Sequence, residues 1–192
     1  TTRRWRKRTP WPGTPRQKMG VAVSSGRIYL ISGATWAKDK KGEIDLKRFE
    51  LFTDAYCYDP ETGKWSRIAD LPVVTENRPI NPLGYAYGPS PMKWRHLPEG
   101  EYRASVSVDH IFRGQPRPAG ASAAIGVGDS QIMLLSGATG RYITMDIHER
   151  PFFPRDVLSY DTRMNTWKVI DQMPIGVVTT SAVEWNNKIV IP

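Results

Sequence analysis

Ile28-Tyr29-Leu30-Ile31-Ser32-Gly33-Ala34-Thr35, followed after a loop by Tyr58-Asp59-Pro60-Glu61-Thr62-Gly63-Lys64-Trp65, decides the fold, because the chain contains the phrase twice. The second copy is Ile132-Met133-Leu134-Leu135-Ser136-Gly137-Ala138-Thr139, then a loop, then Tyr160-Asp161-Thr162-Arg163-Met164-Asn165-Thr166-Trp167. Tyr-Asp-x5-Trp keeps its spacing in both copies, while Gly33 to Asp59 is 26 residues and Gly137 to Asp161 is 24. A turn and a Trp at fixed offsets mark a repeated supersecondary unit. A third unit starts at Val178-Thr179-Thr180-Ser181-Ala182-Val183-Glu184-Trp185 and continues as Lys188-Ile189-Val190-Ile191-Pro192.

Runs of β-branched and aromatic residues bounded by Gly, Pro and Asp predict strands. In the first unit they cover about 19–25, 27–32, 54–59 and 64–69, with turns at Ser25-Gly26 and Pro60-Glu61-Thr62-Gly63. In the second they cover about 120–127, 131–136, 156–161 and 166–171, with a turn at Gly128-Asp129-Ser130. In the third they cover 178–185 and 187–192 around Asn186-Asn187. No stretch shows a 3.6-residue apolar period, so the chain is predicted to be all-β. A four-stranded meander cannot bury both of its faces alone. Stacking successive meanders around an axis solves that, and the result is a β-propeller. Trp65 and Trp167, opening each fourth strand, are then buried structural residues between blades, and Trp5 is the same landmark in a preceding blade.

Composition bounds the partners. The 192 residues suffice for a domain with a real core. The chain opens on Thr and stops inside an apolar run, so it is expected to be a piece of a longer protein. No run approaches the roughly 18 apolar residues of a membrane span, and a membrane is not an expected partner. The net charge is +8, of which Arg3, Arg4, Arg6, Lys7 and Arg8 supply five. This is a local basic segment, not a nucleic-acid-binding face, because no base-stacking platform accompanies it. Cys57 lies in Ala55-Tyr56-Cys57-Tyr58 and is expected to be buried and inert.

Spacing exposes an irregularity. Trp5 to Trp65 is 60 residues, but Trp65 to Trp167 is 102. The interval is rich in proline (Pro79, Pro82, Pro89, Pro91, Pro98, Pro116 and Pro118) and lacks another Tyr-Asp-x5-Trp. Trp94-Arg95-His96-Leu97-Pro98 imitates a fourth strand only 29 residues after Trp65, and 103–108 alternates like one strand. The expected layout is 1–15, end of a preceding blade; 16–72, a blade; 73–118, an inter-blade insertion; 119–174, a blade; and 175–192, the start of the next.

These landmarks resemble the kelch repeat, with the usual glycine pair reduced to Ser32-Gly33 and Ser136-Gly137. Pro154-Arg155-Asp156-Val157-Leu158-Ser159-Tyr160, Thr166-Trp167 and Pro174 to Val183 resemble the bacterial kelch-type mutarotases, which include the sialic acid (N-acetylneuraminate) epimerases and their cyclically permuted relatives. Lys188 to Pro192 and Arg16-Gln17-Lys18-Met19-Gly20 also fit. The resemblance implies a six-bladed parent propeller that interconverts anomers of a sialic-acid-like small-molecule sugar, with no cofactor, and suggests a periplasmic or extracytoplasmic location. It places the family's acidic residue and nearby arginine after the strand matching 188–192, beyond Pro192, so the catalytic residues stay unassigned.

Blade topology limits where a site opens. Loops from strand two to three and from strand four to the next strand one share a face, which would hold 34–53, 138–155, the approach to Arg16, the region of Arg117, and Thr179-Thr180. Arg141, Arg150 and Arg155 are candidates to clamp a carboxylate bidentately, and His148 and Glu149 to titrate or bond sugar hydroxyls. Glu43, Asp45 and Glu50 of the long loop 36–53 are expected to be solvated. His96, His110 and His148 are isolated, without metal-ligand spacing, so no metal is expected. Two other readings stay open: a non-catalytic kelch propeller that binds a protein or glycan, and a copper-oxidase-like propeller, disfavoured for want of a His/Tyr/Cys constellation.

Overall fold

Two Asx turns build the repeat. In the computed structural model, the Asp59 carboxylate accepts the backbone N–H groups of Glu61 (2.9 Å) and Thr62 (3.2 Å). Asp161 likewise accepts those of Arg163 (2.9 Å) and Met164 (3.0 Å). The turns close on Gly63 and Asn165, both at positive φ (69° and 53°), which glycine and asparagine tolerate best. The structure describes residues 5–38, 40–42, 45, 48–72, 118–139 and 153–192, and the backbone alone of 85–87 and 94–96.

The strands in chain order are β1 (Gly20–Ser24), β2 (Arg27–Ile31), β3 (Ala34–Thr35), β4 (Glu50–Leu51), β5 (Ala55–Asp59), β6 (Lys64–Ile68), β7 (Tyr85–Tyr87), β8 (Trp94–His96), β9 (Ala123–Val127), β10 (Gln131–Leu135), β11 (Asp156–Asp161), β12 (Thr166–Gln172), β13 (Val183–Trp185) and β14 (Lys188–Val190). β1-β2-β5-β6 and β9-β10-β11-β12 are four-stranded antiparallel meanders. They are propeller blades, and with the β13-β14 hairpin they make the described chain all-β. The long loop of the first blade has a stem of its own, β3 paired with β4. In the proline-rich interval, β8 pairs with β7 as a short hairpin and not as the edge of a four-stranded sheet. Residues 103–108 lie outside the described residues.

The alternation of each strand decides what is buried. Ala22, Tyr29, Ile31, Ala55 and Cys57 share the forward face of the first blade. They pack against Ile132, Leu134, Leu158 and Tyr160 on the rear face of the second. The first strands converge most closely. A Cβ on Gly126 would lie 2.0 Å from the Val23 carbonyl oxygen, so only glycine fits there. The forward face of the second blade repeats the arrangement, with Ala123, Leu135 and Val157 meeting Ala182, Ile189 and Ile191 of the third unit.

The repeated Trp is a seam residue. Trp65 donates its indole N–H to the Thr9 carbonyl (3.2 Å), and Trp167 donates to the Ala69 carbonyl (2.9 Å). Each acceptor stands four residues after the preceding Trp of the phrase or of the sequence start, Trp65 and Trp5, and Trp5 itself is exposed. Each indole also leans on the Tyr opposite it, with centroids at 4.8 Å for Tyr58–Trp65 and 4.9 Å for Tyr160–Trp167. Both indoles are half-buried, not fully buried as expected, because the fourth strand is the outer edge of the blade.

The Ser-Gly pair has a physical reason. Ser32 and Ser136 sit at φ 57° and 60°, in the region that favours glycine. Each hydroxyl pays back that strain across the seam. Ser32 Oγ donates to the Phe52 carbonyl (2.7 Å) and accepts the Ala119 N–H (2.9 Å). Ser136 Oγ donates to the Pro154 carbonyl (2.6 Å) and accepts the Val177 N–H (2.8 Å). In the third unit the strands are shorter than the expected 178–185 and 187–192, because Val177 and Thr179 give their N–H groups to the second blade.

Candidate functional site

The lead into each first strand is stitched to the loop leaving the second strand. Gln17 and Ala34 exchange both backbone hydrogen bonds at 2.8 Å, and Gly120 and Ala138 do so at 2.8 and 2.6 Å. The leads also join one another. The Ala121 N–H donates to the Lys18 carbonyl (2.7 Å), and the Thr179 N–H donates to the Ala121 carbonyl (2.8 Å). Lys18, Ala121 and Thr179 all have positive φ, at 55°, 56° and 57°. These steps run beside the convergent first strands, on the face where the loop between β3 and β4 leaves the first blade. Backbone in this region is costly and is retained where the surroundings over-determine it.

Arg16 is the most buried charge described there, its side chain 1% exposed. Its guanidinium pairs with both Asp54 carboxylate oxygens, reaches the Ser32 carbonyl (3.3 Å), and lies 3.7 Å from the Phe52 ring centroid. Burial pushes the Asp54 carboxyl up, but the hydrogen bond and charge of Arg16 outweigh it, with help from Tyr56, and the net pKa falls below the usual carboxylate range. The pair fixes the base of the loop between β4 and β5. Arg16 is spent on the protein itself.

Lys18 differs. Its side chain is exposed, and its ammonium nitrogen lies 5.6 Å from the ring centroid of half-buried Trp36, which follows β3. Farther inside, burial pushes Tyr29 and Tyr160 up to about 12 and raises the Cys57 thiol, which shares a hydrogen bond with Tyr29. Buried and protonated, Cys57 belongs to the core.

Of the residues proposed from sequence, Arg141, His148, Glu149 and Arg150, with Arg117, lie outside the described residues. Arg155 is half-buried and donates to Gln172 Oε1 (2.8 Å) and the Pro174 carbonyl (3.2 Å), which ties the start of β11 to the exit of β12. Gly33 and Gly137 have φ 108° and 113° and nearby backbone that leaves no room for a Cβ. Asp45, expected to be solvated, pairs with Arg48 at 2.7 Å. Sequence reasoning missed Lys18 with Trp36, and Asp54 with Phe52. One signal was available: Trp36 stands directly after Ser-Gly-Ala-Thr, where the second copy has Gly140. Among the described residues no group of His, Cys, Asp and Glu could hold a metal, and no helix is long and apolar enough to cross a membrane.

Comparison with known proteins gives what the chain is similar to. Residues 50–72 match the Kelch motif. The chain is 23% identical over 185 residues to N-acetylneuraminate epimerase 1 of Escherichia coli O6:H1, covering 94% of this chain and 41% of that protein. It is 27% identical over 179 residues to the N-acetylneuraminate epimerase of Yersinia enterocolitica, covering 93% and 40%. It is 23% identical over 175 residues to that of Haemophilus influenzae, covering 90% and 39%. Among solved structures, that of YjhT aligns with a TM-score of 0.37 and 14% identity, over 98% of this chain and 62% of that one. The chain spans about two-fifths of the length of these curated relatives.

Proposed function

We propose that this chain, a kelch-repeat relative of the N-acetylneuraminate epimerases, belongs to a propeller that interconverts the anomers of a sialic-acid-like sugar without a cofactor. The observation that carries this reading is similarity to such epimerases along 94% of the chain, through both blades and the seams between them. In this reading 16–72 and 119–174 are blades and 73–118 is an insertion between them.

Anomer interconversion opens and recloses the pyranose ring. One proton leaves the anomeric hydroxyl and one reaches the ring oxygen, so the site needs an acid and a base on the two sides of one carbon. The sugar's carboxylate needs a cation. Arg141 and Arg150 are the candidates for that cation, and His148 and Glu149 for proton transfer, all within the sequence between β10 and β11. Arg155 stands just before β11 and is tied to Gln172 and Pro174 at the exit of β12. The raised Cys57, Tyr29 and Tyr160 lie in the seam core and take no part.

The test is proton NMR of freshly dissolved N-acetylneuraminic acid, following anomer equilibration with and without the full-length protein. Acceleration is expected. If the protein accelerates neither this sugar nor related ones, catalysis is refuted and a glycan- or protein-binding propeller becomes the better reading.

A further inference from the structure

The repeat makes a control available at every position. Lys18, Ala121 and Thr179 occupy equivalent steps of the stair that runs beside the first strands, with the same φ and the same backbone bond to the neighbouring step. The strain therefore belongs to the repeat and says nothing special of Lys18. The side chain is another matter. Alanine and threonine serve the same backbone position, so the fold does not require a cation there. Trp36 is likewise not required, since the second copy of the phrase continues into Gly140. Two residues that the repeat does not demand stand together on the loop-bearing face, an exposed ammonium 5.6 Å from the centre of an indole ring.

The chemistry of that pair is specific. At an exposed site the cation–π attraction is about 0.5–1 kcal/mol, weak enough for the ammonium to exchange it for a better partner. A carboxylate gives the ammonium a full opposite charge and a charge-assisted hydrogen bond, which the ring does not. An indole face is a flat apolar surface of the kind that covers the C–H face of a pyranose ring. The neighbouring Arg16 cannot replace Lys18, since its guanidinium is already paired with Asp54 and covered by Phe52.

We infer that Lys18 and Trp36 form one wall of a subsite for an acidic sugar, Trp36 packing against the apolar face of the ring and Lys18 pairing with its carboxylate. The inference deepens the proposed function and rests on it. It adds Lys18 as a further cation for the sugar's one carboxylate, beside the candidates Arg141 and Arg150.

The test measures the affinity of the full-length protein for N-acetylneuraminic acid and for N-acetylmannosamine, which lacks the carboxylate, in wild type, Lys18→Met, Lys18→Arg and Trp36→Ala. Lys18→Met is expected to weaken the acidic sugar about tenfold or more and leave the neutral one unchanged, with Lys18→Arg recovering most of the loss. Trp36→Ala is expected to weaken both. Unchanged acid affinity in Lys18→Met overturns the inference while leaving the sugar reading intact. Equal losses for both sugars in Lys18→Met also overturn it, since that is the mark of structural damage. A wild-type protein that binds neither sugar refutes the sugar reading and the subsite together. Circular dichroism of each variant confirms that it is folded.

Discussion

Ser136→Gly and Ser136→Ala weigh two opposed effects at one atom. Ser136 sits at φ 60°, where a side chain costs about 1–2 kcal/mol relative to glycine. Replacement by glycine relieves that strain, although the freer unfolded chain takes back about 0.4–1 kcal/mol. Both replacements delete the hydroxyl that joins the Pro154 carbonyl (2.6 Å) to the Val177 N–H (2.8 Å). Each lost bond is worth about 0.5–1.5 kcal/mol, and more where the partner stays buried without water. The hydrogen-bond losses outweigh the relief. Ser136→Gly should therefore destabilise by about 1–2 kcal/mol, and Ser136→Ala, which keeps the strain, by about 2–3 kcal/mol. Urea unfolding followed by tryptophan fluorescence reads both values. Wild type, then Gly, then Ala is the expected order, with the same order at Ser32. A glycine variant as stable as wild type would show that the hydroxyl does not hold the seam.

Much of the fold was legible because it rests on local chemistry. Tyr-Asp-x5-Trp places an Asx turn, a positive-φ residue and a cross-strand Tyr–Trp pair within eight residues, and each has a sequence signature. What escaped the sequence is what depends on which carbonyl a neighbouring blade presents. The depth of Trp65 and Trp167 is set by their place on the outer strand, and the shortened third unit by N–H groups spent across a seam. Serine in the glycine pair reads as a weakened motif until its hydroxyl is seen to bridge two blades. The candidate site was less legible still. Arg141, His148, Glu149 and Arg150 stand out by charge alone within one stretch of sequence, whereas Arg16–Asp54 joins residues 38 apart that no local pattern links.

Three further expectations follow from the same seams. Cys57 should resist alkylation by iodoacetamide in the native protein at pH 8 and react at once in denaturant, because burial raises its pKa and blocks access; rapid native labelling would contradict the core assignment. Asp54 has a folded pKa below its unfolded value, so the unfolded chain binds more protons, and the stability it contributes is present above about pH 4 and lost as pH falls through the folded value. Asp59 and Asp161, held low by backbone N–H donors, act in the same direction, so the Arg16 contribution is read as the difference between wild type and Arg16→Gln. That difference should be about 3 kcal/mol at neutral pH, the low end for breaking a buried pair because Asp54 is partly exposed, and should shrink on acidification; a pH-independent difference would mean that Arg16 acts by packing alone. For Trp167, ring and N–H can be separated. Trp167→Phe keeps an aromatic ring against Tyr160 but leaves the Ala69 carbonyl without its donor, at a cost of about 1–2 kcal/mol. Trp167→Ala also loses the ring, and because the indole is only half-buried the total should be about 2–4 kcal/mol, below the range for a fully buried aromatic. Urea melts that found Phe equal to wild type would remove the indole N–H from the seam, and melts that found Ala equal to Phe would remove the ring.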